Sequence, residues 1–155
     1  MTDTAFQYLV FNIASHYFAA NVLQIDDVIR SKKTTEVPLS KINIRGLSNL
    51  RGHIVTEIDV AQTLNIKRDT VPEASYSVVT HINQEFYSLA FDGIGDVIEI
   101  PADQIDTLPE TVQKKWHLVS NGVFQDESNL IVLLDFPLFI KMVSENKDHS
   151  LNNVA

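Results

Sequence analysis

Residues 6–13 read FQYLVFNI and carry apolar side chains on both sides of an extended chain. Phe6, Tyr8 and Val10 fall on one face, and Leu9, Phe11 and Ile13 on the other. A strand that is apolar on both faces is covered on both, as in a barrel or a packed pair of sheets. Similar short runs recur at 17–23, 54–60, 76–82, 86–91, 97–100 and 130–134, bounded by Asn, Asp, Gly or Pro. That spacing predicts an all-β barrel or sandwich. Asn83, Gln84 and Glu85 mark a hairpin turn. Helix signals are few: 103–105 after Pro101 predicts one turn, and Asp135 followed by Pro137 predicts a terminal helix ending near Glu145. The expectation is mainly β with minor helix, and a polar tail over 146–155.

Composition narrows the function more than the fold. The chain has 155 residues, 45% hydrophobic and 21% charged, with 5 Gly and 5 Pro, which is one globular domain with room for a core. A net charge of -8 gives it no general attraction to nucleic acid or anionic lipid. The distribution is uneven: residues 30–51 hold six cations against Glu36 alone, while 69–110 hold nine acids and no Lys or Arg. These stretches read either as solvated faces or as opposite poles that orient partners. No cysteine is present, so disulfides, thiolate metal sites and thiol nucleophiles are excluded. The start lacks the basic-then-apolar order of a secretory signal, and the stretch 130–143 is broken by Asp135, Pro137 and Lys141. A cytoplasmic location without membrane insertion is expected.

Catalytic signatures are incomplete. Gly46-Leu47-Ser48-Asn49-Leu50 lacks the last glycine of a nucleophile elbow. Gly93-Ile94-Gly95-Asp96-Val97-Ile98 has two glycines of a dinucleotide loop, but Ile98 stands at the third and Asp96 would repel a pyrophosphate. His16, His53, His81, His117 and His149 are too far apart for paired ligands on one helical face. One constellation remains: if 54–60 is a strand, His53, Glu57 and Asp59 share a face and could hold a divalent ion, the alternative being a wet strand face with Asp59 capping a turn. Trp116 reads as a packing anchor or a partner contact.

Residues 46–59, GLSNLRGHIVTEID, resemble the signature of the CheW family of bacterial chemotaxis coupling proteins: a Gly, then Asn-Leu-Arg-Gly, then an Ile-Val strand ending in Asp. Three further segments resemble the family in the same order: FQYLVFNIASHYFAANVLQIDDVIR, FDGIGDVIEIPADQI and LIVLLDFPLFI. The resemblance spans 6–145 as a single CheW-like domain. It implies two closely packed five-stranded SH3-like β-barrel subdomains with a short C-terminal helix. It also implies a non-catalytic adaptor without a cofactor, acting in signal transduction. The implied partners are the cytoplasmic tips of methyl-accepting chemoreceptors and the regulatory domain of the histidine kinase CheA, in membrane-associated receptor arrays.

Carried over position by position, the resemblance places Ile25, Asp27, Arg51 and Val97 on or near the groove that receives the receptor. Gly46, Asn49 and Gly52 belong to the first motif, and Gly93 and Gly95 to the second, where tight turns would need the glycines. Ile25 and Val97 read equally as core, and Arg51 also reads as a structural link between the barrels. Thr56, Glu57 and Ala61 depart from the family's usual Pro, Ile and Arg, which alters any interface built from them. Two other readings stay open: a metal-dependent enzyme at His53, Glu57 and Asp59, and a small-ligand module using the groove between the barrels.

Overall fold

The computed structural model describes residues 5–32, 44–70, 72 and 74–153. Lys33 and Lys41 of the basic stretch lie outside the described residues, so that pole is located through its three arginines and the backbone of Lys32.

Among the described residues ten strands form two sheets of five. β1 (Ala5–Ile13) and β2 (His16–Asn21) make the opening hairpin. A 3-10 turn (Val22–Gln24) then leads into β3 (Asp27–Lys32), β4 (Ile44–Leu50), β5 (His53–Ile58), α1 (Val60–Thr63), β6 (Ala74–Ile82) and β7 (Glu85–Phe91). β8 (Gly93–Pro101), α2 (Lys114–Val119), β9 (Ser120–Asp126), β10 (Asn129–Leu134) and α3 (Phe136–Asn153) complete the chain. The strand orders are β8-β1-β2-β10-β9 and β3-β6-β7-β5-β4. Each sheet curls into a small SH3-like barrel, here called barrel I and barrel II. The chain begins in barrel I, builds all of barrel II, and returns to finish barrel I.

Both faces of β1 meet apolar clusters from Tyr8 onward, as its sequence predicts, while Phe6 is exposed. Phe11 and Ile13 enter the main core with Leu9 packed against it, whereas Tyr8 belongs to a separate cluster with Ala19, Ile100, Ile131 and Leu133. The main core joins the barrels, collecting Phe18 from barrel I and Ile58, Val78, Leu89 and Phe91 from barrel II. Helix α3 covers it with Phe136, Phe139, Ile140 and Val143, a helical-period stripe. Asp135 caps α3 by accepting from Leu138 N at 2.9 Å. The helix backbone continues past Glu145 to Asn153, through residues expected as a polar tail.

Several local expectations are revised. The 17–23 strand stops at Asn21, whose side chain accepts from Leu23 N at 2.9 Å and starts the 3-10 turn. The turn expected over 103–105 is a 3-10 turn at Ala102–Gln104. The Asn83-Gln84 loop joins β6 to β7 with φ of 53° and 69°, the two left-handed residues of a type I′ hairpin, and Glu85 already belongs to β7. Gly93 and Gly95 do not sit in a turn: they lie within β8, Gly93 opposite Asn12 of β1 and Gly95 at the irregular step of that ladder. A Cβ on Gly93 would collide with the Asn12 side chain, whereas one on Gly95 would make only ordinary contact with Val10. The role of Gly93 is close approach of two strands.

Barrel I closes where Asp106, just beyond β8, pairs with Val123 of β9 through two backbone bonds of 2.8 Å. Gly122 makes that contact possible: a Cβ there would stand 2.5 Å from Asp106 O and 2.7 Å from Ile105 Cγ2, at φ 138°. We therefore expect Gly122→Ala to destabilise the protein by roughly 2–3 kcal/mol, combining backbone strain with overpacking. Equilibrium urea unfolding measures this, and a change below about 0.5 kcal/mol, the ordinary surface range, would contradict the closure role.

Candidate functional site

The Asn-Leu-Arg-Gly motif builds one corner of barrel II. β4 and β5 pair up to Leu50 and His53, leaving Arg51 and Gly52 as a two-residue turn with φ of 51° and 86°. Asn49 Oδ1 accepts from Gly52 N at 3.1 Å and locks the turn. Glycine suits this conformation, and an arginine held there carries strain of roughly 1–3 kcal/mol. Gly46, at φ 150°, sits at the irregular step of the β4–β5 ladder.

The turn aims Arg51 at β3. Its Nε donates to Asp27 Oδ2 at 2.6 Å, while Asp27 Oδ1 accepts from Val28 N at 2.8 Å. β3 and β4 are the outer strands of their sheet, four strand spacings apart, which is roughly 19 Å in a flat sheet. The ion pair therefore ties the two ends of the curled sheet together. It is a link within barrel II and not between barrels, and the Arg51 side chain remains 69% exposed.

Ile25 is placed by the 3-10 turn before β3. Gln24 O accepts from Thr80 Oγ1 at 2.7 Å, Gln24 Oε1 accepts from Phe136 N at 3.1 Å, and Asp26 N donates to Val79 O at 2.8 Å. Ile25 packs half-buried on the main core. Val97 lies in barrel I, opposite Leu9, which borders the same core. Ile25 is thus part core and part surface, whereas Val97 is 53% exposed and is not core. The structure joins Asp27 to Arg51 directly, sets Ile25 two residues before Asp27, and leaves Val97 across the seam on the other barrel.

Two features were not anticipated. Asp92, in the crossing from β7 to β8, receives Arg68 Nη1 on Oδ1 and Ala14 N on Oδ2, both at 2.8 Å. Arg68 follows α1 and Ala14 lies in the β1–β2 turn, so one carboxylate holds the two barrels across their seam. The second feature is apolar surface on the β4–β5 hairpin. Leu47 and Ile54 are 68% and 74% exposed and lie on one face, Leu47 being opposite Thr56. Once β4 and β5 are known to be strands, the period-2 rule and their register put both on one face with polar Asn49 and Thr56.

The proposed metal trio is not assembled. β5 ends at Ile58, and Asp59 caps α1 by accepting from Gln62 N at 3.0 Å while pairing with Arg45 at 3.5 Å. His53 stacks on Phe86 with centroids 4.1 Å apart. Among the described residues no group of three or more His, Asp or Glu is placed to hold a metal ion. Thr56 and Glu57 stand in β5, and Ala61 is buried in α1, where an arginine would not fit without rearrangement. Trp116 is a packing anchor, donating Nε1–H to Leu64 O at 3.0 Å beside Phe18.

The small-ligand reading placed its site between the barrels. A cavity of about 270 Å³ lies instead between barrel II and α3, lined by Thr56, Ile58, Tyr87, Ile140 and Val143 among others. Tyr87 donates to Glu85 Oε2 at 2.7 Å, and burial together with that bond and the Glu85 charge pushes its phenol up to about 12. Among the described residues no helix is long and apolar enough to cross a membrane.

Known proteins with similar sequences and folds can now be set beside this geometry. The family model described as CheW-like domain matches residues 7–144. The chemotaxis protein CheW of Thermotoga maritima is 30% identical over 139 residues, covering 90% of each chain. That of Klebsiella aerogenes is 23% identical over 149 residues, covering 96% of this chain and 88% of the relative. The crystal structure of the scaffolding protein TtCheW from Thermoanaerobacter tengcongensis superposes with a TM-score of 0.74 at 21% identity, covering 86% of both chains.

Proposed function

This chain belongs to the CheW family of chemotaxis adaptors, and from that premise we propose that it couples chemoreceptor tips to the histidine kinase CheA without catalysing a reaction of its own. The observation that carries the reading is the Asn49–Gly52 turn, which holds Arg51 in a left-handed conformation against Asp27 while leaving it mostly exposed. A residue kept under strain and still open to solvent suits recognition of a carboxylate or a helix-end carbonyl on a partner. Ile25 and Val97, on either side of the seam, supply apolar contact for a helical hairpin lying along it. The site comprises Ile25, Asp27, Arg51 and Val97, with Gly46, Asn49 and Gly52 shaping its corner and Gly93 and Gly95 seating β8 against β1.

An adaptor needs a second face, and the exposed pair Leu47 and Ile54 on the β4–β5 hairpin supports a contact of apolar character for the kinase regulatory domain. The test is reconstitution: the purified chain should recover a receptor cytoplasmic fragment and CheA in one complex, and binding to neither overturns the reading. Leu47→Ser combined with Ile54→Ser is expected to weaken kinase binding about tenfold or more by isothermal titration, as losing two interfacial apolar anchors would. Receptor binding should stay within about twofold, because neither residue belongs to the receptor set. Action in the cytoplasm, at membrane-associated receptor arrays, completes the proposal.

A further inference from the structure

The outer face of barrel II runs from the main core to open solvent along one set of positions. In β5, Ile58 belongs to the core that α3 covers, Thr56 stands two residues earlier on the same face, and Ile54, two before that, is exposed. The register puts Leu47 of β4 opposite Thr56 on one side and Tyr87 of β7 beside it on the other. The cavity of about 270 Å³ lies in the middle of this face, where Thr56 and Tyr87 line it together with α3. Its floor is apolar, made by buried Ile58, Ile140 and Val143. Its rim carries one charged group among the lining residues, the exposed carboxylate of Glu85. Glu85 Oε2 accepts from the Tyr87 phenol at 2.7 Å, and among the described residues Glu85 has no cationic partner.

We propose that this cavity is an anchor pocket for one basic side chain, a lysine or an arginine, of the kinase regulatory domain docked on Leu47 and Ile54. The inference rests on the adaptor reading and deepens it by naming what the partner inserts beside the apolar pair. Size limits the occupant: pockets that take drug-sized ligands run to about 300–1,000 Å³, and this one is smaller, on the scale of a side chain. The lining selects its chemistry. The strands lie in the order β7-β5-β4, so a side chain entering from Leu47 crosses Thr56 and ends at Glu85. A long aliphatic stem on that path packs against Ile58, Ile140 and Val143, and its cationic head meets the Glu85 carboxylate at the far rim. A wholly apolar side chain would cover that carboxylate without compensating it, and an acidic one would be repelled. Tyr87 holds the acceptor in place. Burial, the bond to Glu85 and the Glu85 charge push its phenol up to about 12, so it remains a donor at neutral pH and leaves the second Glu85 oxygen for the guest. A partner resting on Leu47 and Ile54 also excludes water from the pocket, which strengthens the charged bond.

The experiment measures binding of the full chain to the CheA regulatory domain by isothermal titration, for the native sequence, Glu85→Gln and Thr56→Phe, the last filling the cavity from β5. Each variant is expected to weaken kinase binding about fivefold, the scale of one partly exposed charged bond, while binding of a receptor cytoplasmic fragment stays within about twofold. Kinase affinity equal to native in either folded variant overturns the inference and leaves the adaptor reading standing. A second measurement needs no kinase: methyl NMR of the free full chain titrated with n-butylammonium chloride, and with n-butanol at matched ionic strength. Saturable shifts of the Ile140 and Val143 methyls are expected with n-butylammonium, with affinity at least about threefold lower for n-butanol and for Glu85→Gln. Absence of a saturable shift, or equal binding of the two probes, overturns the inference. A native chain that does not bind the kinase domain overturns the adaptor reading and the partner named here, and the probes then decide separately whether the cavity accepts a basic side chain. Thermal unfolding checks that each variant keeps the fold, and an unfolded Thr56→Phe leaves the decision to Glu85→Gln and the two probes.

Discussion

Reversing Arg51 to glutamate is expected to reduce affinity for a receptor cytoplasmic fragment by about tenfold or more, equivalent to roughly 1.4 kcal/mol, while leaving the circular dichroism spectrum unchanged. Two features make the effect on binding large and the effect on folding small. The side chain is 69% exposed, and exposed ion pairs contribute only about 0–1 kcal/mol to stability. The substitution nevertheless places a second carboxylate against Asp27, and so presents repulsion where a partner expects a cation. Binding of the native chain should also weaken as ionic strength rises, because the corner is open to solvent. Loss of secondary structure in Arg51→Glu would show that the Asp27 link is primarily a barrel closure. Unchanged receptor affinity would remove Arg51 from the docking set.

Asp92→Ala is expected to have the larger effect on stability, about 3–5 kcal/mol, which for a chain of this size lowers the unfolding midpoint by roughly 10 °C. The Arg68 and Asp92 side chains are only 15% and 12% exposed, so removing the carboxylate leaves a largely desolvated guanidinium without its counter-charge and the Ala14 amide without its acceptor. Because Asp92 stands where the chain crosses from barrel II to barrel I, the loss also loosens the seam along which Ile25 and Val97 lie. Differential scanning calorimetry provides the stability measurement, and receptor binding measured well below the midpoint provides the functional one. A change under about 1 kcal/mol would show that the clamp behaves as a surface pair.

Much of this architecture can be read along the chain, for reasons specific to each segment. β1 reveals itself because residues 6–13 are apolar on both faces of an extended chain, and the two faces go to two different apolar clusters. α3 is announced by Asp135 and Pro137, a cap and a residue preorganised for the first turn. β4 and β9 escape the same reading. β4 is IRGLSNL, with an exposed Leu47 and polar neighbours, and β9 is SNGVFQD, with one buried glycine and little apolar content. A strand held by backbone pairing within a closed barrel needs no strong alternation of its own. α2 was missed because Gln113 provides no side-chain cap and the helix is only six residues long.

The candidate site divides in a similar way. The Asn-Leu-Arg-Gly turn is local, and its four residues already specify a tight turn carrying an arginine. What that arginine meets is decided 24 positions earlier in the chain, by Asp27, because the curl of the sheet brings its outer strands together. The metal trio fails for a related reason. Period-2 counting assumes that the strand continues, and Asp59 instead leaves it to cap a helix. The charge poles are also reordered by the fold: Arg45 and Arg51 of the basic stretch are engaged with Asp59 and Asp27, which lie outside the acidic one.

The amino-acid order by itself determined the class of this protein: short strands buried on one or both faces, a terminal helix with its cap, and a turn motif shared with a family of adaptors. These are properties of neighbours two to four residues apart, and backbone periodicity makes them visible. Only the tertiary structure decided the roles of Gly93 as a point of close strand approach, of Gly122 and Asp106 as the closure of one barrel, and of Asp92 as the clamp between barrels. Each depends on residues distant in sequence meeting within a few ångströms. That proximity is set by how two sheets curl and pack, which no local pattern of hydrophobicity or charge encodes.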